Sequence, residues 1–162
     1  MIKSLVLVHS YHHHNTEKIA QAIARVLQTE IVLLKDISPE ETQSFDLIGF
    51  GAGIDSGKHY KPMLDFAESL PVTKNKKAFI FSTSGVYGKK KMLRDHAALR
   101  EILTAKGYVI VDEFGCAGLD TNSFLKYIGG LNKKHPNNED LQAAKTFAET
   151  VLAKTAKSTT NL

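Results

Sequence analysis

Ser10, Tyr11, His12, His13, His14, Asn15 and Thr16 form an unbroken polar run between two very different segments. Their hydroxyl, amide and imidazole groups all hydrogen-bond phosphate oxygens. Residues 2–8 before them are apolar except for Lys3 and Ser4. After them, Ile19, Ile23, Val26 and Leu27 recur at helical spacing. The order is therefore strand, polar loop, helix start. A helix start offers unpaired backbone N–H groups and a partial positive charge, and so suits an anion. The run reads as a phosphate cradle. A partly protonated imidazole strengthens such contacts, and that help fades as pH rises through the imidazole pKa. Adjacent histidines on an extended loop point different ways, and no Cys, Asp or Glu lies within the run, so phosphate is preferred over a metal.

Two further segments have suitable chemistry. The first is Gly51, Ala52, Gly53, Ile54, Asp55, Ser56, Gly57, Lys58, His59 and Tyr60; the second is Thr83, Ser84, Gly85, Val86, Tyr87 and Gly88. Their glycines allow close approach to a flat ligand, and each segment carries an aromatic residue able to stack. One phosphate loop with two such flanks suits a flat heteroaromatic with a phosphate tail. FMN fits that description.

These segments need a frame that places them side by side. Strand-like runs occur at 2–8, 30–34, 46–51, 78–82 and 108–114; they are rich in Val, Ile, Leu and Phe and largely lack polar alternation. That composition suits strands covered on both faces. Helix-like runs lie between them at 16–28, 61–70, 91–106 and 138–154. The alternation predicts an α/β fold: a doubly wound, five-stranded parallel sheet with right-handed crossovers. Five strands match the order 2-1-3-4-5, in which ligands bind beyond the carboxyl ends where strand order reverses. The three polar segments fall at those ends.

Several boundaries are legible. Gly107 stops the third helix, and Asn137 or Asn138 caps the last one. A single domain is expected over residues 1–155, followed by a frayed tail over 156–162.

Composition narrows the class. The chain has 162 residues, 43% hydrophobic and 23% charged, with a net charge of +4. No apolar run is long enough to span a bilayer, the N-terminus is expected to lack a secretory pattern because strand residues start at Ile2 with no small-residue cleavage site after them, and the single cysteine, Cys116, excludes an internal disulfide framework. A cytoplasmic protein without membrane or nucleic-acid partners is expected. Cys116 reads as buried and inert. Lysines cluster at Lys74, Lys76 and Lys77 and again at Lys89, Lys90 and Lys91. They read as solvated loop residues, with an acidic partner protein or the phosphates of a second nucleotide as the alternative. Strands one and three end in Val8-His9-Ser10 and Gly49-Phe50-Gly51, which lack the acidic pair of a magnesium-dependent receiver domain. No Gly-x-Ser-x-Gly elbow is present.

Four stretches taken together resemble the flavodoxin family. They are Val8 through Ala20, including His14-Asn15-Thr16; Asp46 through Ile54, then Gly57-Lys58-His59; Ala78 through Gly85; and Gly129-Gly130-Leu131-Asn132 with His135-Pro136-Asn137. The resemblance runs nearly end to end. It implies FMN held without a covalent link and one- or two-electron transfer. On this reading Ser10, His12, His13, His14, Asn15 and Thr16 hold the phosphate. Gly53, Ile54, Asp55, Ser56, Gly57, Lys58 and His59 line one edge and face of the ring; Ser84, Gly85, Val86 and Tyr87 line the other. Asp120 and Asn122 are candidates for the rim or for turn roles. The resemblance also implies that a peptide of the second segment, Ile54-Asp55 or Ser56-Gly57, flips to meet the reduced ring. Two departures stand out. His14 occupies a place that is usually glycine, where a side chain either meets the phosphate or demands a left-handed backbone. The chain is also basic, whereas carrier flavodoxins are typically acidic.

The expectation is an FMN-binding electron carrier, monomeric or weakly dimeric, with a redox protein as partner. The alternatives are an FMN-dependent NAD(P)H or quinone reductase, and a flavin-free interaction module on the same fold.

Overall fold

The computed structural model describes residues 1–10, 14–85, 87–118 and 135–159. In chain order the elements are β1 (Ser4–His9), α1 (Asn15–Leu27), β2 (Ile31–Leu33), β3 (Leu47–Asp55), β4 (Lys58–His59), α2 (Lys61–Glu68), β5 (Lys76–Ser84), α3 (Lys89–Asp95), α4 (Ala97–Ala105), β6 (Tyr108–Ala117) and α5 (Asn138–Thr159). Five strands form a parallel sheet in the order β2-β1-β3-β5-β6, with β4 pairing antiparallel to the end of β3. Omitting β4, this is the expected order.

Side chains alternate across the sheet, yet both faces are apolar, because helices cover both. Val6, Val8, Phe79 and Phe81 pack with Ile19 and Ile23 of α1 and Phe147 and Val151 of α5. Leu5, Leu7, Ile48, Phe50 and Ile80 pack with Met63 of α2 and Leu99 and Leu103 of α4. A strand with two buried faces shows no polar alternation, which is why the sequence reads as continuous apolar runs.

β3 has an unusual face. Gly49, Gly51 and Gly53 occupy alternate positions and so share one side. A Cβ on Gly49 would lie 2.2 Å from Phe79, and one on Gly51 would lie 2.0 Å from Phe81. The register sets Gly49 beside Phe79 and Gly51 beside Phe81. The rings of β5 therefore lie across the bare backbone of β3 and stack on each other, with centroids 6.0 Å apart. Tyr60 covers Gly53 in the same way, 2.5 Å from where a Cβ would stand.

The structure corrects several boundaries. β3 runs to Asp55, so Gly51, Ala52, Gly53 and Ile54 are strand rather than loop. The cause is a two-residue hairpin: Ile54 pairs with His59 and Asp55 with Lys58. Ser56 and Gly57 both have positive φ, 51° and 79°, as a type I′ turn requires. The expected helix over 91–106 is two helices meeting at His96, which is fully buried. The backbone ladder continues across the junction, from His96 N to Met92 O and from Arg100 N to His96 O. The last helix, expected over 138–154, extends through Thr159. Its end is held by Thr155, which is buried and donates to Val151 O, and by a hydrogen bond from Lys77 to Ser158. Asn137 is its cap: Asn137 Oδ1 accepts from Asp140 N at 3.0 Å, and Asp140 Oδ2 accepts from Asn137 N at 2.8 Å.

The packing on β3 makes a direct prediction. Gly51→Ala forces Phe81 from its place between the sheet and the helices α1 and α5 and should cost about 1–3 kcal/mol, as overpacking does. Gly88→Ala, at an open position with φ 178°, should be near neutral. Urea unfolding of the two variants checks the contrast; equal effects would remove the steric account.

Candidate functional site

Three strand ends meet at the start of α1. Thr16 and Thr83 are both buried, and their hydroxyls share a hydrogen bond at 2.9 Å. Gly118, just past β6, donates to Ser84 O at 3.0 Å. A Cβ on Gly118 would lie 2.9 Å from Asn15 Nδ2 and 3.2 Å from Thr83 Cβ. Asn15, Thr16, Thr83, Ser84 and Gly118 thus form one junction, with Ser10 just beyond β1.

His14 adopts the left-handed conformation, φ 52° and ψ 31°, immediately before α1. This is the backbone demand read from the sequence at the place where glycine is usual. Its imidazole does not cap the helix; Nδ1 lies 2.9 Å from Glu17 Oε1 and the ring is largely exposed. Glu17 is the acid of the first helical turn, and this contact engages its carboxylate. His12, His13 and Val86, as well as Asp120, Asn122 and Gly129 through Asn132, lie outside the described residues.

The hairpin brings Asp55, Ser56, Gly57 and Lys58 to the surface, all exposed. Ile54 and Tyr60 are half-buried; Tyr60 stands edge-on to His9 with centroids 6.1 Å apart. Burial holds the His9 imidazole below its usual pKa. Tyr87 is 52% exposed, and Ser84 and Gly85 are half-buried beside it.

His59 sits differently from its neighbours. Strand alternation turns its ring inward, where it is 1% exposed, and Nε2–H donates to Phe81 O at 3.2 Å. It lies buried beneath the hairpin, and its neighbour Tyr60 is half-buried. Gly53 likewise serves Tyr60, whose ring fills the space above it.

The ring of His59 packs on His96 at 4.8 Å. His96 in turn joins Ser82 Oγ to Nε2 at 2.7 Å and Glu113 Oε1 to Nδ1 at 3.0 Å. The carboxylate only accepts, so Nδ1–H donates to Glu113, and Nε2 and the Ser82 hydroxyl share the other hydrogen bond. Arg100 closes the chain with two hydrogen bonds to Glu113, at 2.8 and 2.9 Å. Sequence reading missed this network, because its members come from β5, the α3–α4 junction, α4 and β6. The order Ser82, His96, Glu113 has the geometry of a nucleophile and its relay. Exposure decides against that role: Ser82 is 3% and His96 0% exposed, which leaves no room for a substrate.

Ionisation follows from these surroundings. Burial, and then the neighbouring His96, push the His59 pKa down to about 3. Burial alone would raise Glu113, but hydrogen bonds and charge from His96 and Arg100 outweigh it and hold the pKa at about 2. Cys116 is buried, and burial, helped by the charge of Asp140, pushes its thiol up to about 12, so it is inert at neutral pH. Among the described residues no cluster of three or more His, Cys, Asp or Glu is arranged to hold a metal, and no helix is long and apolar enough to cross a membrane.

The donor set fits the phosphate and flat ring of FMN. Neutral amide and hydroxyl groups stand at a helix start, and a solvent-facing hairpin turn and two tyrosines stand at adjoining strand ends.

His59 sets a pH dependence. Below about pH 6.5 the unfolded chain takes up a proton that buried His59 refuses, so stability falls with pH, by up to about 1.4 kcal/mol per unit from this residue. Glu113 adds the same sign only below its ordinary value of 4.5. His59→Gln, which retains a donor for Phe81, should flatten the slope of urea stability between about pH 6.5 and pH 5. An unchanged slope would assign the acid sensitivity elsewhere.

A family model for the flavodoxin domain matches residues 6–128. An uncharacterised protein of Methanocaldococcus jannaschii is 47% identical over 151 residues, 93% of this chain and 99% of its own. Among solved structures, a flavodoxin from the domain Archaea superposes with a TM-score of 0.72 at 17% identity, covering 96% of this chain and 99% of the other. Oxidised flavodoxin 2 of Bacillus cereus does so with a TM-score of 0.69 at 20% identity, covering 94% and 99%.

Proposed function

The chain belongs to the flavodoxin domain family, and on that premise we propose that it binds FMN without a covalent bond and carries electrons between partner proteins. The observation that carries this reading is the junction of Asn15, Thr16, Thr83, Ser84 and Gly118, which gathers three strand ends at one helix start. When bound, FMN supplies one- or two-electron redox chemistry that no side chain offers.

The chain's own residues then have separable tasks. Ser10, Asn15 and Thr16, with the first N–H groups of α1, would take the phosphate. Glu17 is engaged by His14 and so opposes the phosphate less than a free carboxylate would. The Ser56–Gly57 turn would present main-chain groups to the ring edge, with Tyr60 and Tyr87 as the aromatic flanks. His59 and His96 would keep the hairpin seated without touching the ring.

Asn15→Ala and Thr16→Ala should weaken FMN much more than riboflavin, by about 1.5–3 kcal/mol for each lost hydrogen bond to the charged phosphate. Fluorescence titration of both ligands measures this, and equal losses for the two would place the phosphate elsewhere. A chain that is colourless and gives no signal on titration with FMN would instead be an interaction module.

A carrier should not draw electrons from a nicotinamide by itself. Under anaerobic conditions the flavin band should persist with NADH or NADPH and bleach only when a separate reductase is added. Rapid bleaching by either nucleotide alone would replace the carrier with an FMN-dependent reductase.

A further inference from the structure

α3 reads Lys89-Lys90-Lys91-Met92-Leu93-Arg94-Asp95, and its burial divides it sharply. Met92 and Asp95 turn inward, while Lys89, Lys90, Leu93 and Arg94 are exposed. The helix's one acid is consumed: Asp95 is buried and bonded to Lys91. The outward face is therefore cationic without internal compensation. Two large apolar side chains stay uncovered within it or beside it, Leu93 at 41% and Tyr87 at 52% exposure.

This face adjoins the hairpin of the candidate site. A Cβ on Gly57 would lie 3.9 Å from Asp95 Oδ1, so the turn sits against α3, and Lys58 follows it on the exposed strand. Asp55 is the carboxylate on this part of the hairpin, and Ser56 already donates to it. The position of α3 is fixed from below, because Arg100, itself held by Glu113, donates to Leu93 O at 2.8 Å. The result is an anchored surface on which Lys89, Lys90, Leu93 and Arg94 of α3 are exposed, with Tyr87 just before the helix and Lys58 on the adjoining hairpin.

We propose that this surface is the docking face for an acidic partner protein, whose carboxylates meet the four cations and whose apolar centre covers Tyr87 and Leu93. An aromatic and an aliphatic anchor within a charged rim is the anatomy of a protein interface. A nucleic acid would be met by cations alone, and a membrane by a broader apolar face. Complementary charge speeds encounter more than it tightens the complex, which suits a partner that arrives, exchanges and leaves. The docking rests on charge and shape alone; its consequence, electron transfer through the hairpin edge, rests on the carrier reading above.

The test uses the full-length isotope-labelled chain, with and without added FMN, and purified acidic ferredoxin as the probe protein. At about 20 mM salt, amide shifts should concentrate in residues 55–60 and 84–96. Raising salt to about 500 mM should abolish them, since screening then acts within a few ångströms. The triple variant Lys89→Glu, Lys90→Glu, Arg94→Glu should lower the association rate about tenfold or more while the far-ultraviolet spectrum is unchanged. Leu93→Ser should speed dissociation instead. A basic c-type cytochrome should give no shifts on this face. Shifts elsewhere, indifference to the triple variant, or a stronger response to a DNA duplex or anionic phosphatidylserine vesicles would overturn the proposal. If the chain takes up no added FMN yet still docks the probe, the surface stands and the carrier reading falls; if it takes up FMN and does not dock, the carrier reading stands and the surface falls.

Discussion

The rings of Phe79 and Phe81 lying across the bare backbone of β3 are the constraint on which the architecture depends. Two phenyl rings on one strand ordinarily demand more width than a neighbouring strand allows. Glycine at 49 and 51 supplies it, because a Cβ there would overlap the rings at 2.2 and 2.0 Å. The rings then extend toward α1 and α5 and reach Phe147, with centroids 5.8 Å apart for Phe79. Close packing of this kind fixes register, and register fixes which residues stand at the carboxyl ends. Thr83 faces Thr16 because it lies two and four residues along the same face as Phe81 and Phe79.

The opposite face carries a second, polar constraint. His59, His96, Ser82, Glu113 and Arg100 form a layer between the apolar core and the hairpin. Buried polar groups are expensive unless bonded, and once bonded they specify one arrangement. Here the arrangement seats the hairpin on the α3–α4 junction. It also makes the seat sensitive to acid, because a neutral His59 and an ionised Glu113 are both required. The same layer fixes the position of α3 through Arg100, so the exposed cations and the buried histidines belong to one mechanical unit.

The chain carries a net charge of +4, and α3 places three lysines and an arginine next to the candidate site. Asp95 is buried with Lys91, and the remaining cations of α3 face solvent. The sequence alone showed only a lysine run; burial determined which members are free to act.

The order of strands, the two buried faces and the three polar segments at the carboxyl ends were all written in the sequence. Apolar runs of strand length, helical periodicity and the polar run before Asn15-Thr16 are local signals, and local signals survive without a fold. The left-handed backbone at His14 was one of two outcomes left open there by the resemblance to flavodoxins, and the structure shows it. What the sequence did not show was which face several side chains would take. The hairpin at Ser56 and Gly57 lengthened β3 and turned His59 inward, although its neighbours Lys58 and Tyr60 made it look like part of a surface loop. Glu113 is the clearest case. Ala78 pairs with Ile110 but Phe79 pairs with Asp112, so Val111 is an extra residue in β6. That single insertion moves Glu113 to the side of Ile80, where it meets His96 and Arg100. Because side chains alternate with period two, one added residue reverses every position after it. Composition and spacing carry no record of that shift; the pairing of β5 with β6 decides it.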